Sequence, residues 1–318
     1  MRVGAIDIGS NSVRLLVAEL PDTGGWGALE TVARAGESCR LGRGLHETGR
    51  VAEELVERAG TIVQEFARRA RSLGAVHVIA GATAALRSAT NGAEVAERLS
   101  LRAGVPVRIL SGEDEARLVY RAVVLGLGGA ARASQCVAFD LGGGSTEVVS
   151  GVGAQPGRWT SLPFGAVTLT EQLLPEDPAT PVQLAAARAS IQERIMHGCA
   201  SLPGRTTLLA GVGGTVTVLA SMDRGLADYE PSLLEGWNIR RDRLQELIER
   251  IAGSSQQERR KHPIMGEGRA DIIGAGVLVV EALVERFSAT GLVCSTQGLR
   301  YGLVHLAAEE WKARPGQA

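Results

Sequence analysis

Two acidic, glycine-rich segments of this sequence repeat one pattern. The first reads Asp-Ile-Gly-Ser-Asn-Ser from residue 7 and the second reads Asp-Leu-Gly-Gly-Gly-Ser from residue 140, so both contain Asp-aliphatic-Gly-x-x-Ser. A tight turn of this composition leaves backbone N–H groups pointing into a concavity, and glycine lets that backbone approach an anion closely. The two segments therefore predict a pair of phosphate-binding turns. The alternative is a pair of ordinary hairpin turns.

Side chains of the two segments can add hydrogen-bond donors and a metal site. The hydroxyls of Ser12 and Ser145 and the amide of Asn11 can donate to phosphate oxygens. The carboxylates of Asp7 and Asp140 cannot face a phosphate directly, because both groups are anionic. Mg²⁺ takes oxygen ligands and keeps several waters, so we expect it to bridge carboxylate and phosphate.

Two further segments carry charged candidates. Glu113, Asp114 and Glu115 fall together at the predicted start of a helix, where capping explains them as well as catalysis does. Arg87 follows a predicted strand and opens a helix, a position from which a guanidinium can fork onto a phosphate. Arg14, beside the first turn, has the same potential. Solvent-exposed arginines are the alternative for both positions.

Other well-known nucleotide and metal sites are excluded by the sequence. The two lysines, Lys261 and Lys312, do not follow glycine, so no P-loop is present. The segment GVGGTVTVLA from Gly211 has valine where a dinucleotide-binding fingerprint needs its third glycine. It still resembles a strand-to-helix turn that could hold an anion at a helix N-terminus. The five histidines are isolated, which argues against a histidine metal site.

Composition sets broader limits on the class of protein. With 318 residues, 45% of them hydrophobic, the chain can form a large core and favours two domains. A net charge of −1 gives no general attraction to nucleic acid or to a membrane. Four scattered cysteines indicate reduced thiols rather than a zinc site or a disulfide framework. No signal peptide is visible after Met1, so we expect a cytoplasmic protein.

Hydrophobic periodicity predicts an α/β fold that is built twice. Strands are predicted over residues 3–8, 13–20 and 28–35, followed by a long helix over 51–73. After the small-residue stretch GLGGAARAS the order begins again, with strands over 136–140 and 145–150. The predicted domains are residues 1–125, completed by a C-terminal helix over 299–318, and residues 126–298. Equivalent turns in two such domains would face one another across a cleft.

Six segments in this order resemble one enzyme family. They are AIDIGSNSVRLLV, GATAALRSATN, LSGEDEARLVY, FDLGGGSTEVV, GVGGT and STQGLRYGLV. Together they are similar to the exopolyphosphatase/guanosine pentaphosphate phosphatase (Ppx/GppA) family, which belongs to the superfamily of actin, sugar kinases and heat-shock chaperone ATPases. The resemblance implies two ribonuclease-H-like domains that flank an interdomain cleft.

The resemblance also implies roles for individual residues. Glu115 matches the carboxylate that positions and deprotonates the attacking water, which sets it apart from its acidic neighbours. Asp140 and Glu147 match the acidic residues that hold Mg²⁺. Phosphate contacts are implied for five positions, namely Asn11, Arg87, Gly143, Gly144 and Ser145, and we add Ser12 and Arg14 because of their place at the first turn. The implied reaction is in-line attack of water on a terminal phosphoryl group.

The expected activity is Mg²⁺-dependent release of terminal phosphate from inorganic polyphosphate. Guanosine pentaphosphate is the competing substrate, because it ends in the same phosphoanhydride. The sequence is also compatible with a superfamily ATPase or kinase and with a non-catalytic polyphosphate or alarmone sensor. Two departures from the family pattern affect substrate preference or domain contacts: Glu235 precedes Gly236 where many members have His-Gly, and Tyr301 replaces a glutamate. A homodimer is expected only because the resemblance to this family implies one.

Overall fold

The computed structural model describes residues 1–21, 29–132, 134–266 and 268–313. They form two compact units, one of Met1–Leu118 with Leu299–Ala318 and one of Val119–Gly298. The change between the units falls inside the helix Gly112–Leu127. The boundary that the sequence suggests after residue 125 lies near the end of the same helix and stays a prediction.

The first unit contains a five-stranded mixed sheet with the order β3-β2-β1-β4-β5. Its strands are β1 (Arg2–Ile8), β2 (Ser12–Glu19), β3 (Glu30–Ser38), β4 (His77–Ala82) and β5 (Val107–Ile109). Strands β1, β2 and β3 form an antiparallel meander, and β4 and β5 continue from β1 in parallel. The first two predicted strands are confirmed. The third runs over 30–38, and residue 28 of its predicted range lies outside the described residues.

Helices cover the first sheet because its central strand is apolar almost throughout. In β1 five of the seven residues are buried, a pattern typical of a strand enclosed on both faces. The helices that begin in this unit are α1 (Leu45–Thr48), α2 (Glu53–Ser72), α3 (Ala84–Ser88), α4 (Gly92–Ala103) and α5 (Gly112–Leu127). The predicted long helix is α2, whose apolar stripe includes Leu55, Ile62 and Phe66.

The second unit repeats this plan around a six-stranded sheet with the order β10-β11-β9-β6-β7-β8. Its strands are β6 (Gln135–Leu141), β7 (Thr146–Val152), β8 (Gln155–Leu162), β9 (Leu208–Val212), β10 (Asn238–Arg240) and β11 (Gly291–Cys294). Strands β6, β7 and β8 form the antiparallel meander, while β9 and β11 continue from β6 in parallel. The predicted duplication is thus confirmed in the order and direction of the strands, which are those of the ribonuclease-H-like fold. The short strands β10 and β11 were not predicted.

The helices of the second unit pack on both faces of its sheet around one large apolar cluster. They are α6 (Gly129–Arg132), α7 (Ala166–Leu173), α8 (Pro181–Gly198), α9 (Gly214–Arg224), α10 (Pro231–Leu234), α11 (Arg241–Ala252), α12 (Gln256–Arg260) and α13 (Ile273–Arg286). Helix α13 is largely apolar and is buried along nearly its whole length. No helix among the described residues is long and apolar enough to cross a bilayer.

The last helix, α14 (Leu299–Lys312), packs on the first unit and contacts β1 and β4. One of its residues is a departure from the family pattern. Tyr301 is buried, and its hydroxyl accepts a hydrogen bond from the Arg34 guanidinium on β3. A neutral hydroxyl therefore occupies a position at which a family glutamate would bring a negative charge to this arginine.

All four cysteines are buried and unpaired, as the sequence predicts. Burial is the main cause that raises the pKa of each thiol, to about 11 for Cys39 and Cys199 and to about 12 for Cys136 and Cys294. These thiols therefore stay protonated at neutral pH and behave as small apolar side chains.

Arg259, Arg260 and Lys261 form a basic cluster, which the sequence predicts to lie on a solvated helix face, and this prediction is wrong for Arg259. Its side chain is only 7% exposed. The guanidinium donates to three backbone carbonyls, those of Ile251 at 3.1 Å, Ser254 at 2.6 Å and Ala270 at 3.0 Å. The arginine is buried because backbone carbonyls at and beyond the end of α11, and one shortly before α13, accept its hydrogen bonds.

We expect Arg259→Leu to lower the free energy of unfolding by about 3 kcal/mol, because three buried carbonyls lose charge-assisted donors. The neighbouring Arg260 is exposed, so Arg260→Leu should change it by less than about 0.5 kcal/mol. Urea unfolding followed by circular dichroism measures both. Equal effects of the two substitutions would contradict the assigned role of Arg259.

Candidate active site

The two glycine-rich hairpins form the same turn in each unit. The N–H of Gly9 donates to the carbonyl of Ser12, and the N–H of Gly142 donates to the carbonyl of Ser145, each at an N···O distance of 3.0 Å. A Cβ atom at Gly9 or Gly142 would lie only 3.2 or 3.1 Å from the same carbonyl oxygen. Glycine is therefore needed at the second position after each aspartate, and the repeated sequence pattern corresponds to a repeated backbone structure.

Strand pairing places different charges beside the two aspartates. Asp7 lies opposite Arg14 in the β1–β2 pair, whereas Asp140 lies opposite Glu147 in the β6–β7 pair. Directly opposite residues of an antiparallel pair project from the same face with Cβ atoms about 4.5–5.5 Å apart. The same structural position thus holds an acid–base pair in the first unit and an acid–acid pair in the second.

Asp7 receives its positive charge from the protein. Burial raises the pKa of its carboxyl, and the nearby charges of Arg14 and Arg300 act in the opposite direction. Arg14 also contacts the Ser12 hydroxyl at 3.2 Å, and Arg300 donates to the carbonyl of Leu15 at 3.3 Å. The expectation that both aspartates need a metal ion is therefore unnecessary for Asp7. Arg300, which comes from α14, had no sequence signal that connected it to the first turn.

The second hairpin concentrates negative charge in a place that suits a cation. Glu147 is 1% exposed, and its Oε1 accepts a hydrogen bond of 2.8 Å from the hydroxyl of Ser161, its partner in β8. Two adjacent carboxylates disfavour each other's ionised form unless a cation lies with them. No group of three or more His, Cys, Asp or Glu side chains that could hold a metal occurs in the described parts of the chain. The Asp140–Glu147 pair consequently fits an ion that takes its other ligands from water and phosphate, as Mg²⁺ does.

Glycines flank the carboxylate of Asp140. A Cβ at Gly213 would lie 3.6 Å from its Oδ1, and one at Gly298 would lie 3.8 Å from its Oδ2. Gly213 has φ of 109° and begins α9, and a Cβ there would also come within 2.5 Å of the Leu141 carbonyl oxygen. The third glycine-rich turn of the sequence is thus placed next to Asp140.

Backbone donors are available at the second turn. The carbonyls of Gly142 and Gly143 accept hydrogen bonds from residues 166–168 at the start of α7. The N–H groups of Gly143 and Gly144 have no protein acceptor among the residues that the structure describes. Ser145 is buried beside them. This arrangement of unbonded N–H groups is the one that the sequence predicts for phosphate binding.

A segment that the sequence did not single out supports the first turn. The carbonyl of Asn11 accepts hydrogen bonds from the N–H groups of Cys39 and Arg40, both at 3.0 Å. The carbonyl of Ser10 accepts one from the N–H group of Gly42 at 2.8 Å. Arg40 adopts the left-handed conformation, with φ of 55°, to make this connection. Ser10, Asn11 and the segment 39–42 are therefore linked by backbone hydrogen bonds.

The three acids at the start of α5 have three different environments. Asp114 takes part in the predicted capping box, in which its N–H donates to the Ser111 hydroxyl over 3.1 Å. Glu113 is partly exposed and pairs with Arg117, one helical turn ahead. Glu115 is only 5% exposed. The structure thus explains two of the acids by local stability and leaves Glu115 buried without such a role.

Glu115 is paired with another predicted site residue. The Arg87 guanidinium lies 2.9 Å from Glu115 Oε2, and the same nitrogen donates to the carbonyl of Leu110 at 3.0 Å. A guanidinium at this distance favours the ionised carboxylate and fixes its orientation. Both residues, predicted separately from different segments, are brought together within the first unit.

Comparisons with known proteins agree on one family. The profile described as the Ppx/GppA phosphatase family matches residues 18–309. "Exopolyphosphatase 2" of Mycobacterium tuberculosis is 34% identical over 290 residues, which cover 89% of each chain. A crystal structure of the Ppx/GppA family member from Aquifex aeolicus is 31% identical, with a TM-score of 0.81 over 98% of both chains. An exopolyphosphatase-like protein of known structure is 28% identical, with a TM-score of 0.88 over 97% of this chain and 98% of the other.

The raised pKa of Asp7 has a consequence for stability. The folded protein holds this proton more tightly than the unfolded chain, so the associated stability is present below the unfolded pKa of about 3.9 and is lost as pH rises through the folded pKa. In Asp7→Asn this loss is absent. We therefore expect the free energy of unfolding of Asp7→Asn, relative to the unchanged protein, to increase between pH 4 and pH 7.

Glu19, on the neighbouring strand, is a control of opposite sign. The hydrogen bond from Arg2 lowers the pKa of Glu19, so its contribution is lost as pH falls. For Glu19→Gln, the free energy of unfolding relative to the unchanged protein should decrease between pH 4 and pH 7. Urea unfolding at several pH values measures both series, and a pH-independent difference for Asp7→Asn would disprove the assignment.

Proposed function

The chain belongs to the Ppx/GppA phosphatase family, and on that basis we propose that it is an exopolyphosphatase. The enzyme hydrolyses the terminal phosphoanhydride bond of inorganic polyphosphate and releases one phosphate in each reaction. The contact between the buried Glu115 carboxylate and the Arg87 guanidinium is the observation that carries the proposal, because it orients a carboxylate at the position of the family's general base.

Glu115 accepts a proton from the attacking water. The water oxygen forms a bond to the terminal phosphorus, the P–O bond to the bridging oxygen breaks, and the shortened polyphosphate departs with the electron pair. The leaving group is itself a phosphate and is a stable anion, so the reaction needs no strong general acid. Arg87 orients the Glu115 carboxylate, and we retain it as a phosphate contact as well.

Asp140 and Glu147 hold Mg²⁺, directly or through water. The bound ion would supply positive charge for the oxygens of the transferring phosphoryl group. The carboxylate of Glu147 is oriented for this by the Ser161 hydroxyl, and that of Asp140 is left accessible by the adjacent glycines.

Each hairpin offers donors for phosphate oxygens. In the second unit they are the N–H groups of Gly143 and Gly144 and the hydroxyl of Ser145. In the first unit they are the side chains of Asn11, Ser12 and Arg14. Each set combines neutral donors with a source of positive charge. In the second unit this source would be the metal beside Asp140, and in the first unit it is the arginines beside Asp7.

The choice of polyphosphate rests on the names of two curated relatives. These are Exopolyphosphatase 2 of M. tuberculosis and Exopolyphosphatase 1 of Mycobacterium bovis, which is 32% identical over 311 residues. Guanosine pentaphosphate remains the second candidate because its terminal bond is chemically the same. We also retain the predictions of a cytoplasmic location, supported by four reduced and buried thiols, and of a homodimer.

Glu115→Gln should slow phosphate release from polyphosphate by about 10²- to 10⁴-fold, because the amide cannot accept the proton of the attacking water. Glu113→Gln alters an acid in the same helical turn and should retain the rate of the unchanged protein. Phosphate release is measured with Mg²⁺ and polyphosphate, guanosine pentaphosphate or ATP. Release from ATP alone would indicate an ATPase, and binding without release from any of them would indicate a sensor.

The duplicated hairpins provide a matched test of the metal site. Asp140→Asn should raise the Mg²⁺ concentration for half-maximal activity by at least about tenfold, because one of two ligand carboxylates is lost. Asp7→Asn changes the equivalent residue, whose charge is balanced by arginines, and should leave that Mg²⁺ concentration nearly unchanged. Equal shifts in the two variants would contradict the assignment of the metal to the second hairpin.

A further inference from the structure

A partly buried carboxylate, that of Glu235, binds the segment between β11 and α14 through hydrogen bonds. We call residues 295–298 the 295–298 turn. Oε1 of Glu235 accepts from the hydroxyl of Ser295 at 2.9 Å, and its Oε2 accepts from both the N–H and the hydroxyl of Thr296 at 2.6 Å. Three donors of the turn therefore converge on one side chain from a distant part of the sequence.

Two residues of the 295–298 turn are buried, so their polar groups need hydrogen-bond partners within the protein. Ser295 is fully buried and Thr296 is 9% exposed. The N–H of Ser295 donates to the Gly211 carbonyl at 2.9 Å, and the N–H of Gln297 donates to the Ser295 hydroxyl at 3.2 Å. Without the carboxylate, two hydroxyls and one N–H in this setting would lack an acceptor.

The turn ends beside the Asp140 carboxylate. A Cβ at Gly298 would lie 3.5 Å from Val212 Cγ2 and 3.8 Å from Asp140 Oδ2, so Gly298 lies beside that carboxylate. Gly213, near Oδ1 of the same carboxylate, follows the strand that carries Gly211. Glu235 therefore binds the turn that ends at Gly298, and Ser295 of that turn is bonded to Gly211.

The chemistry of Glu235 cannot be supplied by the histidine that many family members have at this position. A carboxylate offers two acceptor oxygens, whereas a neutral imidazole offers a single acceptor nitrogen. Glutamine would keep one oxygen but bring an N–H₂ group toward a donor. The three donors of the turn therefore match glutamate specifically.

We propose that Glu235 is a positioning residue for the metal site: it holds the 295–298 turn so that Gly298 confines the Asp140 carboxylate in the orientation that binds the divalent cation. This inference rests on the proposed function, because it takes Asp140 as a metal ligand. A ligand that is already oriented binds its ion more tightly than one that must be ordered on binding. A purely structural role for Glu235 would change stability and leave cation affinity as it was.

The experiment measures binding of Mn²⁺ alone by electron paramagnetic resonance, with no substrate present. Glu235→Gln should raise the Mn²⁺ dissociation constant by about three- to tenfold, less than the loss of a direct partner of a ligand causes. Thr296→Val removes one donor from the same contact and should raise it in the same direction. The double variant should be no weaker than Glu235→Gln, because both substitutions remove one interaction. Glu193→Gln, an exposed glutamate on α8, is the control.

The outcomes separate this inference from the proposed function. Mn²⁺ affinities within twofold of the unchanged protein, or additive effects of the two substitutions, would overturn the role of Glu235 even if the enzyme releases phosphate normally. If Glu235→Gln does not fold, Thr296→Val alone decides in the same way. Absence of Mn²⁺ binding to the unchanged protein would overturn the inference as well. Failure to release phosphate while these affinities change as expected would instead refute the proposed function.

Discussion

The placement of Asp140 opposite Glu147 is the constraint on which the proposed metal site depends. Two unit charges about 5 Å apart repel each other by about 3 kcal/mol at an effective dielectric constant of 20. Strand register maintains this arrangement, because a slip of one residue would turn the buried apolar side chains of β6 and β7 to the wrong face. Burial of apolar side chains in the second unit thus holds the carboxyl groups of Asp140 and Glu147 next to each other. A cation bound between them would reduce the repulsion of their charges.

The two units show how one backbone plan can carry two electrostatic designs. Their antiparallel meanders and parallel additions follow the same order, and their turns contain the same hydrogen bond. The difference lies in the residue opposite the aspartate, which is Arg14 in one hairpin and Glu147 in the other. The residue at one register position thus sets whether the aspartate faces a positive or a negative neighbour, and in the first unit Arg300 adds a second positive charge.

Much of this fold could be predicted from the sequence, because local patterns determine it. Apolar runs mark β1, β2 and β6, the helical period marks α2, and the repeated Asp-aliphatic-Gly-x-x-Ser pattern identifies the two turns. The strands β10 and β11 have only three and four residues, which is too short for a periodic signal. The helix α5 continues through part of the small-residue stretch that looked like a linker, because small residues alone do not stop a helix.

The site was predictable only as separate residues. Pairing of Arg87 with Glu115, support of Glu147 by Ser161 and the approach of Arg300 to Asp7 each join segments that are well separated in the chain. Such contacts follow from packing of whole elements, for which a single sequence contains no local signal. The burial of Arg259 could not be predicted for the same reason. Its basic neighbours suggest solvent exposure, whereas its guanidinium bonds to carbonyls of three other residues inside the protein.

The burial of all four cysteines makes this protein convenient for site-specific labelling. With thiol pKa values of about 11 to 12, the thiolate fraction at pH 7.5 is well below about 0.1%. A cysteine introduced at an exposed position would react far faster with maleimide dyes than any native thiol. Fluorescent probes can therefore be attached to chosen positions while the native cysteines, and the core packing they contribute, are left in place.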